Sequence, residues 1–334
     1  MSSQELPQGN IEVHYKLLSI SPIYAHICSY LYPFFRNYQS IIIPFGSISQ
    51  YQIGGMIGGG KFSTVFFGSD GKKKIAIKVF KNIKMNYIKR EYFILRSLRK
   101  SPNIVKLIDI VQDNLTSTIA LVLEYCRTES YKSVFPLMTI DDIRNYMHQL
   151  LLAIDGFHSK GIIHRDVKPD NVLYNPNTKK LRMGDFGLSE LYYPRRQYST
   201  GVGTLRYMAP ELLLGYRFYD YSSDIWSAGV ILAEILFKIP FFDADDILGM
   251  IKCVSRVFTS SSLLVYADKY GIFIPDIYLR SMPSFNYSRL PMMINEMRPE
   301  IKNDLLLDLL QKMLVVDHKE RITARDALRH PFFK

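Results

Sequence analysis

The residue types with the most chemical capacity in this 334-residue chain gather in His164-Arg165-Asp166-Val167-Lys168-Pro169-Asp170-Asn171 and, further on, in Gly184-Asp185-Phe186-Gly187. A carboxylate such as Asp166 can accept the proton of an attacking hydroxyl, and Lys168 can steady an anion that develops during the reaction. Asn171 and Asp185 bring an amide oxygen and a carboxylate, hard donors of the kind magnesium prefers. A base, a cation and oxygen ligands together are what phosphoryl transfer asks of a protein, because that reaction depends on positioning and charge neutralisation.

Two earlier stretches extend the set. Ile57-Gly58-Gly59-Gly60-Lys61-Phe62-Ser63-Thr64-Val65 is a glycine-rich turn joining two strand-like runs, and backbone amides there can approach a polyphosphate with no Cβ in the way. By itself the turn reads more readily as a glycine-rich hairpin. Ala76-Ile77-Lys78 lies on the next strand, Glu91 in the helix after it, and Met208-Ala209-Pro210-Glu211 closes the series. Each of these residues alone has an ordinary reading as a turn cap or a solvated charge.

The ordered set, at these intervals, resembles the protein kinases. The resemblance implies that Lys78 holds phosphate with Glu91 as its partner, that Asp166 is the base and Lys168 steadies the γ-phosphate, and that Asn171 and Asp185 hold Mg2+. It implies an ATP site bounded by Ile57, Gly58, Gly59, Gly60, Val65, Ala76, Lys78, Glu124, Cys126 and Leu173. Lys168 with Pro169, and Thr204 ahead of Ala209-Pro210-Glu211, are similar to the serine/threonine class. Asp224 and Arg321 look architectural, with Arg321 expected to pair with Glu211.

The elements that must position these residues divide in two. Between 51 and 80, short apolar and β-branched runs at 51–57, 64–68 and 74–80 alternate with glycine clusters, which predicts an antiparallel sheet with tight turns. Ile88, Tyr92, Leu95 and Leu98 predict a helix over 87–99, and strand-like runs follow at 104–111 and 118–124. Beyond Glu124, Thr139 and Asp142 form the signature of a capping box for a helix running to about Gly161. Further helices are expected near Ser222 and Asn303, and Thr323 with Asp326 repeats the signature. His148 and His158 fall inside the long helix and read as packing or surface residues. The expected fold is α+β and two-lobed: an extension over 1–50, a mainly-β lobe with one helix over 51–124, and a larger mainly-helical lobe over 125–334. The kinase domain proper would span 51–333, with its ligand cleft between the lobes.

With 48% hydrophobic and 22% charged residues, the chain can bury a substantial core. Its longest apolar run, 228–242, is interrupted by Glu234 and Lys238 and contains Pro240, so a buried helix explains it better than a membrane span. Met1 to Pro7 lack the features of a secretory leader, and Cys28, Cys126 and Cys253 show no CxxC pairing. An intracellular protein with reduced thiols is therefore expected. A formal charge of +11 favours anionic partners without choosing among them, and neither zinc-finger spacing nor an RNA-binding aromatic signature points to a dedicated nucleic-acid reader. The first 45 or so residues are rich in Tyr, Phe, Pro and Ile and are expected to dock on the remainder.

Among kinases, the chain from about Phe35 onward resembles the catalytic alpha subunits of casein kinase II. The matches include Phe45-Gly46, Tyr51-Gln52, Lys89-Arg90-Glu91, Pro102-Asn103-Ile104, Asp109-Ile110-Val111, Asp142-Ile143-Arg144, Lys180-Leu181-Arg182, Tyr219-Asp220-Tyr221-Ser222, Asp268-Lys269-Tyr270 and Asp317-His318. The resemblance implies constitutive activity with the N-terminal extension packed on the activation segment, acidic protein substrates, and a nuclear and cytoplasmic location. It also implies a regulatory beta subunit bound through Ile53, Phe66, Ile77, Val111 and Val122, residues that read equally well as sheet core.

Departures from that family matter too. Met85, Asn86 and Tyr87 interrupt its lysine run, although Lys84, Lys89 and Arg90 remain. Asp170 stands in the catalytic loop, and Gly201, Leu205 and Met208 stand where the family places basic side chains, with Lys132, Arg195, Arg196 and Arg206 available to compensate. Phe186 replaces the family's usual Trp, and with Ala76, Leu123, Leu173 and Gly184 it predicts a roomier nucleotide pocket in which use of GTP is doubtful. Two alternatives stand: a serine/threonine kinase of another branch with non-acidic substrates, and a pseudokinase scaffold, against which the intact catalytic residues count.

Overall fold

A computed structural model describes residues 20–31, 38, 40–283, 287–295 and 299–334, and in it a mainly-β lobe gives way to a helical one after Glu124. Expectations for 1–19, 32–37 and 39 lie outside the described residues. A short helix, α1 (Ile27–Leu31), precedes β1 (Gly46–Ser47), β2 (Gln52–Gly59), β3 (Ser63–Ser69) and β4 (Lys74–Phe80). Helix α2 (Met85–Ser97) then leads to β5 (Leu107–Gln112) and β6 (Ile119–Glu124). The sheet order is β1-β5-β6-β4-β3-β2, antiparallel except for β1 against β5.

Register decides which residues share a face. Gly58, Val65, Lys78 and Leu121 are partners across β2, β3, β4 and β6, and Ala76 lies two residues before Lys78, so all point to one side of the sheet. The other side buries Ile75, Ile77, Val111, Ala120 and Val122, with Ile48 and Tyr51 packed against them.

The strand expected over 104–111 is divided. Asn103 takes a left-handed φ of 55°, its backbone carbonyl accepts from Met183 N at 2.7 Å and its amide donates to Gln149 at 2.9 Å. These bonds tie 103–105 to the helical lobe, Ile104 bridging Met183, and β5 starts only at Leu107. Helix α2 begins at Met85, ahead of the expected start, because Met85 and Tyr87 are exposed and leave no mark on the apolar period.

The second lobe opens with α3 (Tyr131–Val134) and α4 (Ile140–His158) and continues through β7 (Ile162–Ile163), β8 (Val172–Asn175), β9 (Lys180–Met183) and β10 (Glu190–Leu191). Then come α5 (Pro210–Leu213) and α6 (Ser222–Phe237), with further helices that include Asp304–Met313. The capping box on α4 forms: Thr139 Oγ1 accepts from Asp142 N, and Asp142 Oδ2 accepts from Thr139 N at 3.1 Å. Helix α6 is apolar around nearly its whole circumference and is buried almost throughout, the pattern of a core helix. No single helix among the described residues is long and apolar enough to cross a membrane.

The segment 20–31 docks on the helical lobe. The Cys28 thiol donates to the Gly161 carbonyl at 3.2 Å, Tyr24 OH donates to Asp155 at 2.9 Å, and Ser21 N donates to Tyr192 OH at 2.9 Å. Gly161 has φ +75°, and a Cβ there would sit 2.3 Å from Cys28 Sγ, so only glycine permits both the turn after α4 and the close approach of α1.

Candidate active site

The loop after β7 is held from below by α6. Asp224 accepts the backbone N–H of His164 at 2.9 Å and of Arg165 at 2.9 Å, and His158 Nε2 lies 3.0 Å from the same carboxylate. Those bonds stabilise a backbone in which Arg165 takes φ 67°. Burial holds the His164 imidazole below its ordinary pKa, and its Nε2, 3.1 Å from Gly184 O, joins this loop to the one carrying Asp185. His158 is thus a buried anchor, and His148 packs on Phe333, as expected of packing residues.

Asp166 lies at a cavity whose walls include Val202, Thr204, Tyr207 and Ser227. Its Oδ1 accepts from Thr204 Oγ1 at 2.7 Å, and its Oδ2 accepts from Asn171 Nδ2 at 3.0 Å and pairs with Lys168 Nζ at 3.0 Å. Lys168 Nζ also donates to Thr204 Oγ1 at 2.7 Å. Thr204 can come this close because Gly203 has φ +95°; a Cβ there would stand 2.5 Å from Arg165 O. A carboxylate so held is oriented to receive a proton, and a lysine pinned next to it places positive charge where phosphate would leave one oxygen for another.

Lys78 and Glu91 meet as expected, at 2.6 Å, and Lys78 also reaches Asp185 at 2.8 Å. Burial pulls the Lys78 ammonium down, but the Glu91 and Asp185 carboxylates outweigh it and hold the lysine above its ordinary range. Burial likewise raises Asp185, and Lys78 more than reverses it, so Asp185 is an anion. Asn171 spends its amide nitrogen on Asp166, which leaves Oδ1 as a donor, and Asp185 is half-exposed. Among the described residues no group of three or more His, Cys, Asp or Glu could hold a metal alone. A hard cation at Asn171 and Asp185 would complete its shell with phosphate oxygens and water, and the donor set fits that arrangement. Replacing Lys78 by Met is expected to lower phosphoryl transfer by about 10²–10³-fold, read as kcat in a transfer assay.

The glycine-rich turn leaves room. A Cβ on Gly60 would meet nothing within 4 Å, and one on Gly58 only Val65 at 3.9 Å, so packing inside the protein does not demand these glycines. Ile57, Gly59 and Gly60 are exposed, and Val65, Ala76, Cys126 and Leu173 are partly buried. The Glu124 carboxylate accepts from Lys106 N at 3.0 Å and Arg182 Nε at 3.2 Å, so a nucleotide contact at this position falls to the backbone. Burial pushes the Cys126 thiol up to about 12 and keeps it neutral. Phe186 is not a pocket wall: it is fully buried against His164 and Phe157.

Several expected surface roles change. Arg90 is buried, pairs with Glu190 at 3.0 Å and donates to Gly187 O at 3.1 Å, because the helix that carries Glu91 inward carries its neighbour onto the stretch 185–211, the activation segment that the resemblance implies. Arg196 lies 3.8 Å from Glu190, and Arg206 pairs with Asp243. Of the apolar residues expected to meet a beta subunit, Ile77, Val111 and Val122 are buried in the small second core, whereas Ile53 is exposed and Phe66 partly so. Arg321 does pair with Glu211, through two bonds of 2.8 and 3.0 Å.

Sequence reasoning missed three features here: the bridge from Thr204 to Asp166 and Lys168, the hold of Asp224 on the catalytic loop, and the bond from Tyr207 OH to Glu234 at 3.0 Å. The third had a visible signal, a single carboxylate in an apolar run. The whole arrangement sits within residues 51–333, the span matched by the family model for the protein kinase domain, and the chain belongs to that family.

Proposed function

We propose that the chain is a serine/threonine protein kinase of the casein kinase II alpha type, transferring the γ-phosphate of ATP to protein hydroxyls. The observation that carries the kinase part of the proposal is the joined set Glu91–Lys78–Asp185 and Asn171–Asp166–Lys168–Thr204, and the casein kinase II type rests on the resemblance. In this reading Asp166 orients the acceptor hydroxyl and takes its proton, and Lys168, pinned by Thr204, faces the charge on the transferred group. Lys78 draws the phosphates inward, and Asn171 and Asp185 would hold Mg2+, which when bound would supply charge neutralisation for the phosphates. The test is transfer to a mixed serine, threonine and tyrosine peptide pool, with phosphoserine and phosphothreonine as the expected products.

Constitutive activity belongs to the same proposal. Arg165 donates to Leu188 O at 2.7 Å and Arg90 binds Glu190, so protein groups hold the activation segment in place of a phosphate. The contacts of 20–31 with Tyr192 add support. Protein free of phosphate at Ser199, Thr200 and Thr204 is expected to reach full activity, and modification of Ser199 or Thr200 by another kinase should raise it by less than about twofold.

A beta-type partner would find Ile53 and Phe66 accessible and would reach Ile77, Val111 and Val122 only by displacing the cover from Ile48 and Tyr51. The nuclear and cytoplasmic location rests on the resemblance. Acidic substrate preference has less support, since Arg90, Arg196 and Arg206 are engaged internally. A second reading, non-acidic substrates, is favoured by the exposed negative charge of Asp170 in the loop that carries Asp166.

A further inference from the structure

The stretch 199–204 arches over Arg165 and rests on it at both ends. At one end Gly203 takes φ +95°, and a Cβ there would stand 2.5 Å from the Arg165 carbonyl oxygen. At the other end the Ser199 carbonyl accepts from Tyr219 OH at 2.7 Å, and that hydroxyl accepts from Arg165 Nη1 at 3.4 Å. Ser199 and Gly201 are exposed, and a Cβ on Gly201 would meet nothing within 4 Å, so the crown is open on that side. Thr204, directly after the arch, donates through Oγ1 to Asp166 at 2.7 Å and accepts from Lys168 Nζ at 2.7 Å. The path from the Tyr219 hydroxyl to the groups of transfer is therefore continuous.

Tyr219 stands on the stretch leading into α6, five residues before Asp224. Asp224 accepts the backbone N–H of Arg165 at 2.9 Å, so this short stretch reaches both the backbone and the side chain of Arg165. The Tyr219 ring is fully buried, with the Tyr198 ring 5.5 Å away. Burial holds its hydroxyl above the ordinary tyrosine pKa against the pull of the Arg165 guanidinium, so it stays protonated and able to donate. A phenyl ring would fill the same space, and only the two bonds require the oxygen. The residues just before the arch are held separately: Tyr198 N donates to Arg217 O at 2.8 Å, and Tyr198 OH accepts from Tyr193 N at 2.6 Å.

Resting on the protein kinase reading, we propose that Tyr219 is a positioning residue for phosphoryl transfer: its hydroxyl fixes Ser199, the arch carries that placement to Thr204, and Thr204 orients Asp166 and Lys168. Tyr219 itself touches neither acceptor nor nucleotide. The rival role is purely structural, with the hydroxyl adding stability while the geometry at Asp166 is set by other bonds. The two roles differ in whether the effect of Tyr219 passes through Thr204.

The experiment compares the full natural chain with Tyr219→Phe, Thr204→Val and the double variant, in peptide phosphorylation with Mg2+ and ATP. Tyr219→Phe should lower kcat by about 5- to 20-fold and leave KM for ATP within about twofold, since Lys78, Glu91 and Asp185 lie outside the path. Thr204→Val should lower kcat at least as far, and adding Tyr219→Phe to it should cost less than about twofold more, whereas independent losses would multiply. Tyr219→Phe with kcat within about twofold of the natural chain overturns the proposal, as do losses that multiply. A Tyr219→Phe chain that melts below the assay temperature assigns the hydroxyl to the fold and overturns it too. Each of these results leaves the kinase reading standing. Failure of the natural chain to phosphorylate any peptide overturns the kinase reading and the proposal with it.

Discussion

Asp166→Asn is expected to lower kcat for phosphoryl transfer by about 10²–10⁴-fold, the range of a lost general base. The substitution keeps the size of the side chain and an oxygen able to accept from Thr204, whose bond to Oδ1 is 2.7 Å. It removes the negative charge that pairs with Lys168 and the capacity to take a proton. Because Asp166 meets the acceptor and not the nucleotide in this account, kcat and kcat/KM should fall together, while ATP affinity measured by titration stays within about threefold. A variant that retained full kcat would mean that the proton leaves by another route and would remove Asp166 from its role.

Arg321→Ala is expected to destabilise the fold by about 3–5 kcal/mol, the cost of leaving a buried charge without its partner. Both side chains of the Arg321–Glu211 pair are fully buried. Arg321 also donates to Ser222 O at 2.7 Å and Val315 O at 3.0 Å, and it lies over the Trp226 ring. The pair therefore ties α5, at the end of the activation segment, both to α6 and to the chain that follows Asp304–Met313. For a domain of this size the loss corresponds to a melting temperature lower by roughly 10 °C, measured by circular dichroism or calorimetry. Glu211→Ala should behave similarly, since it strands the guanidinium. An unchanged melting temperature in both variants would show that the pair carries no net stability.

The two effects separate chemistry from architecture, and the sequence revealed them unequally. Asp166, Asn171 and Asp185 were legible because phosphoryl transfer requires particular atoms at particular intervals, and motif order encodes those intervals directly. Lys78 and Glu91 were legible for the same reason, with β4 and α2 delivering them to one point. Strand β4 and the cap of α4 were also plain, since β-branched residues at every second position (Ile75, Ile77, Val79) and a Thr–Asp pair three residues apart are local signals.

What stayed hidden depends on contacts distant in sequence. Nothing local in 104–111 announces that Ile104 will bridge Met183 and cut the strand short. Arg90 looked like a surface cation because its neighbours are basic, and only the approach of Glu190, a hundred residues on, makes it an internal strut. Ile77, Val111 and Val122 could equally have faced solvent or core, and Ile48 and Tyr51 decide for the core. Thr204 could be read as a marker of acceptor class, but its two bonds to Asp166 and Lys168 follow from Gly203 folding back against Arg165.

The most direct measurement is made on the chain purified free of phosphate, incubated with Mg2+ and ATP labelled at the γ-phosphate, together with protein substrate. The account predicts label on serine and threonine of the substrate, abolished in Asp166→Asn. Absence of transfer by the natural chain, or transfer that Asp166→Asn leaves undiminished, would contradict it.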